Sequence, residues 1–537
     1  MTTISNTDKP DILIIGAGAT GAAVAWSLST SGIDVMCLDQ GDWVSTSQYH
    51  TEEPAWELSR WSDFHAAPNQ RNLPADYPVN DDESDIAPLM YNGVGGSTIH
   101  WGAHFPRFHP SDFKVRTLDG VADDFPYTYQ DLVPFFDQND HMMGVSGLDG
   151  DPFYPSKSPR PMPPLALGML GETVARGFDQ LGWHWWPSDA AIASTPYGEG
   201  RLPCNYGSSC DLGCTRKAKA SADITYWPPA IRSGARLITG ARVSELLVSD
   251  DGNIKSVLYY KNGQLHEQSA KLVVLACNGV GTPRLLLNST SNRFPQGLAN
   301  GSGLVGKNLM FHPAAFVTGY FDENLQSNHG SVSNSIYSHQ FYETENTRGF
   351  VRGYQLQVTH GSGPLWQARG GTKGSPLPWG SEHHDVFASR FNKSLNIVVL
   401  TEDLPEETNQ VIIDPTLKDS DGIPAPKIIY KVGENTNKML DHGIARAKEV
   451  LIASGANEVE ISRLPKFAGW HLMGTARTGV NPSTSVVNSW GQSHEVPNLF
   501  IVDGSVLVTA GAVNVTSTIQ AIALRTAEYI KQNRNNL

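Results

Sequence analysis

The feature that most constrains this chain is a strand–turn–helix–strand run near its start. Asp11-Ile-Leu-Ile-Ile15 reads as a short buried strand. Gly16-Ala-Gly18-Ala-Thr-Gly21 follows at once, then small and apolar residues from Ala22 to Ser31 read as a helix ending at Gly32. A second strand, Val35-Met-Cys-Leu38, ends in Asp39. This order and spacing mark a parallel βαβ unit that binds a dinucleotide. Gly16 permits the tight turn, Gly18 lets the backbone approach a pyrophosphate, and Gly21 lets the helix pack on the sheet. The helix N-terminus offers unpaired N–H groups to the phosphates. Asp39 suits ribose hydroxyls and would repel a 2′-phosphate, so NADP is disfavoured.

Context separates this match from a second one. Gly301-Ser-Gly303-Leu-Val-Gly306 has the same glycine spacing, but no apolar strand precedes it and Pro313 follows soon after. It reads as a loop, which argues against a second nucleotide site. Strand-like runs recur at Leu272–Ala276 and Leu499–Val502, followed by the turns Cys277-Asn-Gly279 and Asp503-Gly504. The nucleotide-binding sheet is therefore expected to be assembled from distant pieces. The middle of the chain, about 316–455, has strand-like runs at Leu395–Leu400 and Gln410–Ile413 and a helical pattern from Asn435 to Ser454.

A chain of 537 residues is long for one core, so two domains are expected. A net charge of −14 disfavours nucleic acid and anionic membrane as partners and fits a small uncharged substrate. The N-terminal residues carry neither a basic nor an apolar stretch, and no apolar run approaches a membrane span. Five cysteines, an odd number, argue against a disulfide framework. The expected location is cytoplasmic; the alternative is periplasmic, with export alongside a partner subunit.

Several ordered blocks resemble the glucose–methanol–choline family of flavoproteins, over nearly the whole chain. Asn92-Gly-Val-Gly95-Gly96-Ser97-Thr-Ile-His100-Trp101-Gly102 is similar to the family's flavin-contacting loop. Leu272–Leu287 with Thr282-Pro-Arg284, Gly240-Ala-Arg-Val243, and Val305-Gly-Lys-Asn-Leu-Met-Phe-His-Pro313 match further blocks. So do Trp470-His471-Leu-Met-Gly-Thr-Ala476, Asn498-Leu-Phe-Ile-Val-Asp503 and Gly511-Ala-Val-Asn514-Val-Thr516. The resemblance implies FAD as cofactor, with Val243 near the adenine and Asp503 beside the FAD. It implies His471 and Asn514 as the catalytic pair. It also implies an α/β fold, α+β overall. A Rossmann-type FAD-binding domain would comprise 1–155, 200–315 and 456–537. A substrate-binding domain on an antiparallel sheet would comprise 156–199 and 316–455.

The chemistry agrees with the pair. Hydride leaves a carbinol carbon easily only if its oxygen becomes alkoxide-like, and a histidine has a suitable pKa to take that proton. An asparagine cannot take the proton but can orient the oxygen. The expected activity is FAD-dependent oxidation of a CH–OH group on a sugar, glycoside or polyol. The rivals are an O₂-using oxidase of the same family and a non-redox protein of the hydroxynitrile lyase type. His100 stands where some family members bond the flavin covalently; the expectation here is non-covalent FAD. Trp366, Trp379, His383 and His384 are weaker candidates for the substrate site.

Cys204, Cys210 and Cys214 lie close together in sequence. Three thiols leave a four-cysteine zinc or iron–sulfur site incomplete. Their spacing resembles the family's bacterial sugar-dehydrogenase branch, where such a trio holds a three-iron cluster wired to an electron-transfer partner. Thr215 stands where that branch has proline. Reduced thiols without metal are the expectation, an iron–sulfur cluster the alternative.

Overall fold

The computed structural model describes residues 3–534 apart from 7, 54, 332–334, 361–362 and 372–376. Five strands form a wholly parallel sheet in the spatial order Leu499–Ile501, Leu272–Leu275, Ile12–Ile15, Val35–Leu38, Arg236–Ile238. Chain order and spatial order differ, so the sheet is assembled from three distant stretches of sequence. Its four strands other than the edge strand Arg236–Ile238 are apolar at every position because both faces are covered. Leu13, Ile15, Val273, Leu275, Leu499 and Ile501 enter one core, while Ile12, Ile14, Leu272, Val274 and Phe500 enter another. The helix after the glycine turn spans Ala19–Ser29 with Gly18 as its N-cap. It starts earlier than the expected Ala22 because the second half of the glycine turn is already helical.

The second sheet has six strands in the order Glu458–Arg463, Ala314–Tyr320, Ser394–Thr401, Tyr354–Thr359, Ile336–Ser338, Trp186–Pro187, antiparallel throughout. Side chains alternate between its faces. Ala315, Val317, Leu395, Ile397, Val399, Leu356 and Val358 pack against the helices Glu434–Ala453 and Gly168–Leu181. Phe316, Thr318, Ser394, Asn396, Gln357 and Thr359 occupy the other face and line a cavity. The expected helix from Asn435 is thus the cover of this sheet.

Two features cut across the expected division at residue 456. Glu458–Arg463 pairs with Ala314–Tyr320, so the antiparallel sheet takes its edge strand from beyond that point. The hairpin of Gln410–Lys418 and Pro424–Tyr430 pairs instead with Asn80–Ser84. Arg284, on the helix Asn278–Asn288, anchors it through Asp419 (2.7 Å) and the Pro424 carbonyl (2.9 Å). Gly301–Gly306 forms turns, as its context predicted. Among the described residues no helix is long and apolar enough to cross a membrane.

Candidate active site

A cavity of about 750 Å³ runs from the C-terminal edge of the parallel sheet to the polar face of the antiparallel one. In-register pairing brings Ile15, Leu38, Leu275 and Ile501 level with one another. Gly16, Asp39 and Ala276, which follow the first three, and Asp503, two residues beyond Ile501, therefore gather at one edge, where open α/β sheets bind ligands.

This end is shaped by missing side chains. Gly16 has a φ of +102°, which favours glycine. A Cβ on Gly21 would run into the Gly16 carbonyl. Gly21 is therefore set behind the cavity and closes the turn on the helix. Asp39 accepts the N–H groups of Ala17 (2.7 Å) and Gly41 (2.9 Å), and burial pushes its pKa up to about 6. Asp503 accepts from the Thr282 hydroxyl and the Ser505 N–H, and burial raises its pKa as well. Ala241, Val243 and Ser244 line the wall beside Asp39.

The second glycine loop lies on the first. Gly95 N–H donates to the Ala17 carbonyl at 3.0 Å, and a Cβ on Gly96 would lie 2.8 Å from the Gly18 Cα. Gly95 is set back, whereas Gly96, Ser97, His100 and Trp101 line the cavity. The Trp101 indole N–H donates to the Ala220 carbonyl at 2.8 Å. The His100 Nδ1–H donates to the Asp211 carbonyl at 2.9 Å, and its Nε2 is buried without a partner among the described residues. Burial, reinforced by Arg71, lowers the His100 pKa to about 3. Lys219, which carried no motif, pins this loop. Its buried ammonium donates to the carbonyls of Ile99 (2.6 Å), Thr98 (3.3 Å) and Trp101 (3.3 Å).

At the far end His471 and Asn514 line the same cavity. The His471 Nδ1 lies 2.6 Å from the Nδ1 of His312, whose Nε2 is 2.7 Å from the Gly511 carbonyl and 3.2 Å from that of Ala510. A carbonyl only accepts, so His312 carries its proton on Nε2. Its Nδ1 is then a lone pair that receives the His471 Nδ1–H, and the Nε2 of neutral His471 is left unprotonated. Burial, then the neighbouring His312 and His104, hold His471 well below the usual histidine range. Burial lowers His312 to about 4 against the pull of its two carbonyls. The Asn514 amide oxygen is buried with no hydrogen-bond partner among the described residues. It sits just before the helix Thr516–Asn533, whose positive N-terminal end faces the cavity.

His312 lies inside a block recognised from sequence, yet nothing local distinguished it from a structural histidine. His104, Gln357 and Asn396 line the cavity without any motif. Trp366 lines it too, stacked on Trp61 at 6.3 Å, with its N–H and that of Leu365 held by Glu57. Trp379 is 97% exposed, and it does not line the cavity, nor do His383 and His384. The three clustered cysteines stand outside the cavity wall, form no disulfide and pack on the core behind it. Among the described residues no group of three or more His, Cys, Asp or Glu is arranged to hold a metal.

Family models for GMC oxidoreductases match residues 171–314 and 405–523, and one for FAD-dependent oxidoreductases matches 11–53. A 2-methyl-1,2-propanediol dehydrogenase of Mycolicibacterium austroafricanum is 41% identical over 98% of this chain and 96% of its own. The chain belongs to the GMC oxidoreductase family. A second relative of this GMC oxidoreductase, the fructose dehydrogenase large subunit of Gluconobacter japonicus, is 29% identical over 98% of each chain. The solved pyridoxine 4-oxidase from Mesorbium loti shares the fold, with a TM-score of 0.62 at 16% identity, covering 98% of this chain and 99% of its own.

The GMC oxidoreductase described here is an FAD-dependent oxidoreductase of CH–OH groups. Its residues fit the cofactor. The glycine cradle at Gly16, Gly18 and Gly96 leaves backbone exposed to a pyrophosphate, with Asp39 at the ribose side. The partnerless Nε2 of His100 and amide oxygen of Asn514 are buried polar atoms of the kind that wait for a ligand.

Proposed function

We propose that this protein oxidises a small alcohol bearing more than one hydroxyl group (a diol, polyol or sugar) and passes the electrons to an acceptor other than O₂. One observation carries the reading of the chemistry: the His312 contact leaves the Nε2 of His471 as a lone pair in the cavity that Asn514 also lines. His471 takes the hydroxyl proton onto Nε2. The depressed pKa keeps it neutral, and so ready to act, at physiological pH. Asn514 hydrogen-bonds the substrate oxygen and holds the carbinol carbon in place. His312 acts through His471 as a positioning residue. When bound, FAD supplies the hydride acceptor. FAD is held without a covalent bond in this reading, and denaturation releases it.

The hydroxyl-rich substrate is supported by the polar side chains on the cavity face of the antiparallel sheet, Thr318, Gln357, Thr359 and Asn396. The dehydrogenase reading is supported by the two relatives named above, whose names are those of a diol dehydrogenase and a sugar dehydrogenase subunit. The five cysteines form no disulfide, which suits a reducing compartment, so we propose a cytoplasmic location.

The test is a substrate screen scored by bleaching of the flavin without oxygen. Diols, polyols or sugars should bleach it, and the reduced protein should reoxidise faster with a quinone-like dye than with air. His471→Ala should retain FAD and reduce it more slowly by a factor on the order of 10². Near-normal reduction in that variant would remove His471 from the proton step. A yellow protein that no alcohol bleaches would point to the non-redox reading instead.

A further inference from the structure

The carbonyl that fixes the His312 proton belongs to a peptide held from both sides. A peptide unit is planar and trans, so the Gly511 C=O and the Ala512 N–H point in opposite directions. The carbonyl takes the His312 Nε2–H at 2.7 Å. The N–H donates to the Tyr342 hydroxyl at 3.1 Å, and that hydroxyl donates in turn to the Asp112 carboxylate at 2.7 Å. Asp112 is fixed as well. It accepts the His109 backbone N–H (2.7 Å) and the Arg352 guanidinium (2.5 Å), and Arg352 reaches on to Glu402 at 2.9 Å. The Asp112 backbone carbonyl accepts the Thr509 hydroxyl at 3.0 Å, which ties down the start of the same turn. Tyr342 is fully buried and stacks on the His109 ring, with centroids 4.0 Å apart.

The peptide needs this hold. Gly511 sits at a φ of +59°, and a Cβ there would meet the Phe108 ring at 3.0 Å and Asp112 at 3.2 Å. Glycine therefore stands at the hinge, with no side chain to pin the peptide that follows. Hydrogen bonds at the two ends of that peptide decide which way its carbonyl faces. Turned over, it would present an N–H to the Nε2–H of His312, donor against donor. Only the more distant Ala510 carbonyl, 3.2 Å away, would then keep the proton on Nε2. A proton shifted to Nδ1 of His312 would face the Nδ1–H of His471 and undo the arrangement that leaves the His471 Nε2 a lone pair.

We propose that Tyr342 is a positioning residue of the reaction. Its hydroxyl holds the Gly511–Ala512 peptide with the carbonyl toward His312, and the effect reaches the substrate through His312 and the Nε2 of His471. Tyr342 and Asp112 do not line the cavity, so the hydroxyl acts without touching the substrate. This rests on His471 being the base of an alcohol oxidation, as proposed above.

The experiment uses the FAD-loaded protein, 2-methylpropane-1,2-diol as the probe, and Tyr342→Phe, which removes the hydroxyl and keeps the ring. Anaerobic flavin reduction gives a limiting rate and an apparent dissociation constant. Tyr342→Phe should lower the rate by about 10-fold, the effect of one buried hydrogen bond, and leave the dissociation constant near that of wild type. In a His312→Leu background the same change should cost less than about 2-fold more, because two residues on one path do not add. Tyr154→Phe is the control. Tyr154 also packs on the His109 ring (4.2 Å) and its hydroxyl donates to the Arg107 carbonyl at 2.8 Å, so that variant loses a buried hydrogen bond without touching the turn and should reduce its flavin at the wild-type rate. A second readout needs no turnover. The nitrogen-15 signals of the His312 imidazole, assigned by their loss in His312→Leu, should report one Nε2–H tautomer in wild type and a mixture in Tyr342→Phe. If Tyr342→Phe fails to bind FAD, Thr509→Val loosens the same turn from its other end and should give the same pattern. Unchanged His312 signals, rate losses that multiply in the double variant, or an equal loss in Tyr154→Phe would overturn the proposal. A tautomer mixture with an undiminished rate would overturn instead the reading of His471 as the base. A wild-type flavin that the diol did not reduce would remove that reading, and this inference with it.

Discussion

At the nucleotide end of the cavity the wall is backbone: two glycine loops laid on each other, a helix N-terminus and one carboxylate held by two N–H groups. At the chemical end it is side chains. His104, Gln357, Asn396, His471 and Asn514 come from separate segments spread over most of the chain, with His312 behind His471. The first kind of wall fails when an atom is added. The second fails when a proton or lone pair is moved. The two ends should therefore respond differently to substitution, and the difference can be pushed until it breaks.

The largest effect is expected at the nucleotide end. Gly21→Val sets a branched side chain against the Gly16 carbonyl, and neither backbone segment can yield without opening the turn. Purified protein should lack the visible flavin band altogether, whereas His471→Ala should keep it. Stoichiometric FAD in Gly21→Val would mean that the turn has slack that the static geometry does not suggest.

A smaller effect is expected at the chemical end from His312→Leu. The cofactor should stay, but the His471 Nδ1–H loses its acceptor and the ring its fixed tautomer. Anaerobic flavin reduction should slow by about 10-fold, less than in His471→Ala, because the base is still present. A merely structural role would stop there. Here the pH profile should move as well. His312 is one of the groups that hold the His471 pKa down, so its loss lets that pKa rise toward the ordinary histidine value. More of the base is then protonated at a given pH, and the acid limb of the rate shifts to higher pH. An unmoved acid limb would leave His312 as packing only.

The same contrast explains what could be read from the sequence. The βαβ fingerprint is local: Gly16, Gly18, Gly21 and Asp39 lie within one supersecondary unit, so spacing alone predicts that they come together. His471 and Asn514 were legible only because each sits in a block resembling a known family. The helix over Glu434–Ala453 and the strand Ser394–Thr401 were legible from periodicity. His104 and Gln355 were not, because they meet only across a loop and a strand far apart in sequence. The strand Glu458–Arg463 was missed as a member of the antiparallel sheet for a similar reason, since its partner lies well back along the chain. Lys219 carried no signal in the sequence, because only the fold buries its ammonium under the carbonyls of Thr98, Ile99 and Trp101.

The smallest expected effect concerns stability against pH, where the two ends should differ in sign. At the chemical end burial lowers the His339 pKa to about 3, with the Gln355 bond and Asp151 pulling the other way and His184 and His104 adding to the depression. The unfolded chain would bind a proton there near the ordinary histidine value while the folded protein does not. Stability is therefore lost as pH falls from about 6.5 towards 3. At the nucleotide end burial raises Asp39 to about 6, above its ordinary value, so the folded state takes up the proton first and this residue favours folding as pH falls. Between pH 7 and pH 5 the histidine should cost about 2 kcal/mol and the aspartate should contribute about 1 kcal/mol. Relative to wild type, His339→Gln should lose less stability over that interval, and Asp39→Asn more. In a chain of this length these are shifts of about 2 °C and 1 °C in Tm, measured on the FAD-free protein so that ligand binding does not enter. Parallel pH curves for wild type and His339→Gln would mean that this ring gains its proton in the folded state despite its burial.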